Sequence, residues 1–158
     1  MINEALAKLT LVAILLAVPA LADPPHARVP LRGFADWRLD CAARPCLAYT
    51  AVAGGGGAEV LRLALLPEEP PQLEVSTRLP LYLPDGLALA VGTDPPLPLA
   101  WRTCGPGGCA ARLTVTPELA AALRRERGGT ATFTPADGVP VRVPFSLMGY
   151  TAALRAGG

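Results

Sequence analysis

Trp101-Arg102-Thr103-Cys104-Gly105-Pro106-Gly107-Gly108-Cys109-Ala110-Ala111-Arg112-Leu113-Thr114-Val115 is the stretch that decides the fold of this chain. Its centre, Gly105 to Gly108, is a run of turn formers set between two cysteines. Pro presets the φ of a reversal, and Gly accepts the positive φ that tight turns need. Leu97, Leu99 and Trp101 alternate on the way in, and Ala111, Leu113 and Val115 alternate on the way out. Alternation on both sides of a turn reads as an antiparallel hairpin with one buried face. The expectation is a strand through Leu97 to Trp101, a tip at Cys104 to Cys109, and a return strand.

The same pattern spreads along the chain. Asp36 to Cys41 places Trp37, Leu39 and Cys41 on one face, and Cys46 to Ala53 follows before the flexible Gly54-Gly55-Gly56-Gly57. Val60 to Leu66 is buried on Leu61, Leu63 and Leu65, and a loop at Pro67-Glu68-Glu69-Pro70-Pro71 precedes a strand from Leu73 to Leu79. Leu83-Pro84-Asp85-Gly86 reads as a type I turn, with Leu87, Leu89 and Val91 forming the next face. Thr130 to Phe133 and Val139 to Phe145 close a hairpin around Asp137-Gly138.

One helix stands out. Thr116 is a favourable N-cap, Pro117 fits the first helical position, and Glu118 complements the helix dipole. Leu119, Ala122 and Leu123 share a face, and Gly128-Gly129 is expected to stop the helix. Arg124, Arg125 and Arg127 read as dipole complements on a solvated face rather than an anion site. Ser146 is expected to cap a short terminal helix carrying Leu147, Tyr150 and Leu154. Short strands with frequent turn signals predict a mainly-β antiparallel sandwich with one or two short helices.

The four cysteines form two C-x4-C pairs, Cys41 with Cys46 and Cys104 with Cys109. Four cysteines allow three pairings, and the pairing within each short loop is favoured because each brackets turn residues. A zinc site is the competing reading. Structural zinc pairs usually have closer spacing, and an oxidising compartment disfavours thiolate ligands. Neither pair is the C-x-x-C of a redox enzyme.

Met1 to Ala22 reads as a secretory signal peptide. Lys8 precedes an apolar run from Leu9 to Val18, and Ala20-Leu21-Ala22 offers a cleavage site before Asp23. Pro19 and Asp23 end the run short of the roughly 20 residues a membrane span needs. Residues 23–34 then form a Pro-rich arm, and residues 35–156 a single β-sandwich domain. Lys8 is the only lysine, so every later side-chain cation other than His26 is an arginine. The formal charge is +1, which gives no field to attract nucleic acid. Location in the periplasm or outside the cell is expected.

Catalysis has few residues to use. His26, the only histidine, lies in the arm; Ser76 and Ser146 are the only serines, and neither sits in a G-x-S-x-G elbow. Gly54 to Gly57 lacks the Lys of a phosphate loop. Asp36, Asp40, Glu74 and Asp137 leave room for a carboxylate pair acting on a glycan, which needs two acids at a set separation. No catalytic, cofactor or metal residue is assigned, and an enzyme is not expected. For partner contact, the candidates are Pro95-Pro96-Leu97-Pro98 and Tyr82, although burial is the default for Leu and Tyr.

Four segments together resemble the invasion-associated locus B family. They are Trp37-Arg38-Leu39-Asp40-Cys41 with Cys46-Leu47, Leu79 to Leu87, Trp101-x-x-Cys104-x4-Cys109-Ala110, and Val143 to Ala153. Their order and spacing run from about Ala35 to Arg155. Three departures stand out: a shorter first cysteine loop, about two residues fewer before Leu83-Pro84, and Tyr150 in place of the usual Phe. The resemblance implies an exported, immunoglobulin-like β-sandwich with no assigned chemistry and no catalytic residues to carry over.

The leading functional expectation is a non-enzymatic binding module contacting a protein or envelope component. The alternatives are a host-cell invasion or adhesion factor and a carboxylate-dependent glycan hydrolase. Protein recovered from its native cells should have the mass of Asp23 to Gly158. Intact-mass measurement should show four alkylations after reduction and none before. Full-length protein that alkylates without reductant would contradict both export and bridging.

Overall fold

Alternating stretches become strands, and their pairing sorts them into two sheets. The computed structural model describes residues 31–78 and 80–157. The signal peptide, His26 and most of the arm therefore lie outside the described residues, as does Leu79. One sheet runs in the order β1 (Arg32–Phe34), β2 (Trp37–Asp40), β3 (Leu47–Ala53), β4 (Glu59–Leu66), β5 (Gln72–Thr77), β9 (Gly108–Thr114), β8 (Thr103–Gly105). The other runs β11 (Val141–Ser146), β10 (Gly128–Phe133), β6 (Leu87–Val91), β7 (Leu97–Leu99). Every pairing is antiparallel. The described residues are mainly β, with two antiparallel sheets and two α-helices, α1 (Pro117–Arg125) and α2 (Tyr150–Gly157).

Both sheets and both helices share one apolar core. Leu61, Leu63, Leu73 and Val75 come from the larger sheet, Leu89 and Phe133 from the smaller, and Leu123 and Tyr150 from the helices. Trp37 sits at the seam, fully buried. Its indole N–H donates to the Ser146 carbonyl at 3.0 Å, tying β2 to the end of β11. Its ring meets Tyr150 edge-on, with centroids 4.9 Å apart, the geometry that the ring quadrupoles favour.

Helix α1 follows its sequence signals. The Thr116 hydroxyl accepts from the Leu119 N–H at 3.3 Å, and Leu119, Ala122 and Leu123 face the core. The Glu118 carboxyl is held below its ordinary range, chiefly by its own backbone N–H and then by the Thr116 hydroxyl. The far end differs from expectation. The helix stops at Arg125 with Glu126 already extended, and Gly128 and Gly129 belong to β10. Those glycines serve close strand approach: a Cβ on Gly129 would strike the Ala90 carbonyl and the Phe145 ring.

Three other expectations are corrected. Leu97 to Trp101 is not one strand running into the cysteine hairpin. Leu97–Leu99 pairs with β6 in the smaller sheet, Thr103–Gly105 pairs with β9 in the larger, and residues 100–102 cross between them. Pro98 lacks an N–H and so fits the edge of a sheet. Arg32–Phe34, assigned to the arm, pairs with β2 as β1. The intervening turn is made by Ala35 at φ +51°. Ser146 ends β11 rather than capping a helix; its hydroxyl accepts from the Met148 N–H at 3.0 Å, and α2 begins at Tyr150.

Trp37→Phe should lose about 2–4 kcal/mol in denaturant unfolding, from lost volume and an unpaired Ser146 carbonyl. Burial pushes the Tyr150 hydroxyl above its ordinary value of 10.0, with the Arg124 guanidinium opposing the shift. A folded pKa raised in this way keeps its full contribution below the unfolded value and loses it as pH rises through the folded value. Stability should therefore fall above about pH 10, and Tyr150→Phe should remove that part of the loss. At neutral pH the same variant should differ by less than about 1.5 kcal/mol.

Candidate interaction surface

Strand register brings several loops to one end of the molecule. The start of β6 lies beside the end of β10 (Leu87 opposite Phe133), and the end of β5 beside the start of β9 (Thr77 opposite Cys109). Arg78, residues 80–86, the hairpin tip at Pro106-Gly107 and residues 134–140 gather there, with the glycine turn at 54–58. Two of these loops are tied together. Tyr82 N–H donates to the Thr134 carbonyl at 2.9 Å, Ala136 N–H donates to the Pro80 carbonyl at 2.9 Å, and Leu81 bridges Pro135.

The turn at Leu83 to Gly86 forms as its sequence requires. Gly86 N–H donates to the Leu83 carbonyl at 3.1 Å. Gly86 has φ +65°, and a Cβ there would run into the Leu99 carbonyl. Both facts demand glycine.

This end exposes large apolar side chains. Tyr82 is 51% exposed, Leu83 49% and Val139 62%. Burial is the ordinary fate of such residues, and Tyr82 departs from it. Leu97 does too, at 41%, on the β7 edge. The sequence gives no sign of exposure at Val139, because Val139, Val141 and Val143 alternate like one strand. The strand begins only at Val141, after Pro140, which has no N–H to offer a ladder. A cleft of about 350 Å³ opens beside this patch, lined by Arg78, Pro80, Leu83, Cys104, Pro106 and Cys109.

The cysteines join as favoured, Cys41 to Cys46 and Cys104 to Cys109, with Cα separations of 4.3 and 4.0 Å. Cys104 and Cys109 face each other directly across β8 and β9, which explains the close approach. The two bridges lie at opposite ends of the larger sheet. Cys46 is at the start of β3, beside the end of β4, whereas Cys109 is beside the end of β5. Near the first bridge, a cleft of about 240 Å³ is lined by Pro45, Cys46, Leu65, Pro71 and Leu154. Pro95 and Leu97 help to line another of about 340 Å³ against Leu119 of α1.

Charged groups lie on the outside of the larger sheet. Arg62 forks onto Glu59 at 2.9 and 2.8 Å and stacks over the Tyr49 ring at 4.7 Å. The Arg62 hydrogen bond holds the Glu59 carboxyl below its ordinary range against some desolvation. Arg112 pairs with Glu74 at 2.7 Å and reaches Glu68 at 3.4 Å. In α1, Arg125 lies between Glu126 at 2.8 Å and Asp94 at 4.0 Å. The four candidate acids serve separate places: Asp40 accepts from Ala42 N–H and Asp137 from Val139 N–H, Glu74 binds Arg112, and Asp36 sits in the β1–β2 turn. Among the described residues, no three of His, Cys, Asp and Glu gather where they could hold a metal ion. Among the described residues, one buried side-chain polar atom lacks a partner, the Trp101 indole nitrogen at the crossing between sheets.

A family model described as invasion associated locus B (IalB) protein matches residues 37–157. The chain belongs to that family. The crystal structure of invasion associated protein B from Bartonella henselae is similar, with a TM-score of 0.72 and 17% identity. The match covers 81% of this chain and 95% of that one. At this identity the likeness speaks for the fold alone. No curated protein matches the sequence. For this family member, all four resembling segments contribute to the two-sheet frame. The segment from Pro80 to Leu87 also builds the exposed apolar end.

Proposed function

We propose that this family member is an exported binding module that engages a protein or envelope component through its loop-bearing end. The observation that carries this reading is the exposure of Tyr82, Leu83 and Val139 on loops held by a stapled, rigid frame. Large apolar side chains on loops above a fixed scaffold are where recognition ordinarily resides. Two disulfides suit an oxidising compartment, and among the described residues no helix is long and apolar enough to cross a membrane. The separate duties of Asp40, Glu74 and Asp137 favour binding over carboxylate-pair chemistry.

A second reading, host-cell invasion or adhesion, is favoured by the family description and by the name of the Bartonella protein. A deletion strain adhering to host cells as well as its parent would remove it.

The binding reading is tested with immobilised protein and an envelope extract. A Tyr82→Ser, Leu83→Ser, Val139→Ser variant should retain the parent's unfolding transition, since exposed substitutions usually change stability by about 0.5 kcal/mol or less. It should lose at least about tenfold in affinity for any captured component, the size expected when contact side chains are truncated. Equal retention by parent and variant would place recognition elsewhere.

A further inference from the structure

The two disulfides occupy different environments. Cys46 is part of the apolar core and Cys41 packs against it, with the end of α2 above: a Cβ on Gly157 would lie 3.6 Å from the Cys46 Cβ. Neither Cys104 nor Cys109 belongs to that core. Cys104 is exposed, and all three residues of β8 are exposed. Cys109, at 8% exposure, is the shielded partner. Cys104 also borders the open cleft that contains Arg78, Pro80 and Leu83.

We infer that Cys104–Cys109 is a thiol–disulfide exchange site that reacts with a dithiol, whereas Cys41–Cys46 is a fixed staple. An incoming thiolate attacks the Sγ of Cys104, the exposed residue of the pair. The Cys104–Cys109 bond breaks, Cys109 leaves as a thiolate and takes a proton, and a mixed disulfide remains on Cys104. The second thiol of the dithiol then attacks its own sulfur in that mixed disulfide and releases the Cys104 thiol. In balance, the dithiol gives two electrons and two protons and becomes a disulfide. Arg78 in the cleft wall supplies positive charge that favours an approaching thiolate.

Opening the bridge has a local consequence. All of β8 is exposed, so without the bond it is held by its short pairing with β9 and by the neighbouring bond from Arg102 N–H to the Ala110 carbonyl at 2.8 Å. Segments that bury so little open at small cost. The wall of the cleft beside Leu83 is thereby loosened, so exchange regulates the exposed end. This regulatory step rests on the binding reading above; the exchange chemistry does not.

The test is a timed exposure of the folded, oxidised protein to graded dithiothreitol, followed by acid quench, alkylation and peptide mass mapping. Cys104 and Cys109 should be labelled at least about tenfold faster than Cys41 and Cys46, because exchange rate follows access to the attacked sulfur. Equal rates, or earlier labelling of Cys41 and Cys46, would overturn the assignment. A Cys104→Ser, Cys109→Ser variant should keep a cooperative unfolding transition while amide exchange rises only around residues 78–86 and 102–110. Exchange rising across the whole larger sheet would overturn the local opening. If labelling is selective but this variant captures envelope components as the parent does, regulation fails while both exchange and binding stand. If the parent captures nothing, binding and its regulation fail together, and labelling alone decides the exchange assignment.

Discussion

Trp37 joins what would otherwise be two separate sheets. Burial of the leucine and valine faces drives them together, but that attraction is non-directional and allows one sheet to slide over the other. The indole removes that freedom. Its N–H reaches the Ser146 carbonyl from β2 while its ring packs against Tyr150 of α2. One side chain thus fixes the larger sheet, the end of the smaller sheet and the terminal helix in a single register. The neighbouring Asp36 N–H to Met148 carbonyl bond, at 3.1 Å, closes the same seam from the backbone.

With the middle of the frame fixed there, the disulfides act at its ends. Each closes a hairpin whose strands already pair, so each limits fraying instead of creating the fold. Their settings give them different fates. The Cys41–Cys46 bridge lies under α2 against the core, whereas the Cys104–Cys109 bridge joins buried Cys109 of β9 to Cys104 on the exposed edge strand β8. The apolar loop end adjoins the second bridge, so exposed Cys104 and the exposed side chains of Tyr82, Leu83 and Val139 lie at the same end of the molecule.

Local chemistry was legible wherever one segment carried its own instructions. Thr116-Pro117-Glu118 marks a helix start because cap, φ and charge agree, and the turn at Leu83 to Gly86 forms because Pro and Gly each meet a backbone demand. The β10–β11 hairpin is readable from alternation around Asp137-Gly138. Misreadings arose where one pattern admits two partners. Leu97, Leu99 and Trp101 alternate whether they continue one hairpin or divide between sheets. Gly128-Gly129 resembles a helix stop, yet its lack of side chains serves the approach of Ala90 and Phe145. The candidate surface is half visible in the sequence: Tyr82 and Leu97 stand out at loop or edge positions, whereas Leu83 reads only as part of a turn and Val139 as the start of a strand.

By itself the sequence determined the alternating faces, the capped helix, the turns and the two short cysteine loops, since each depends on residues within a few positions. Tertiary structure alone decided which sheet each strand enters, where the chain crosses at residues 100–102, and that Trp37 meets Ser146. It also decided which apolar side chains remain in solvent. Burial depends on what distant parts of the chain bring alongside, and a local pattern carries no record of those neighbours.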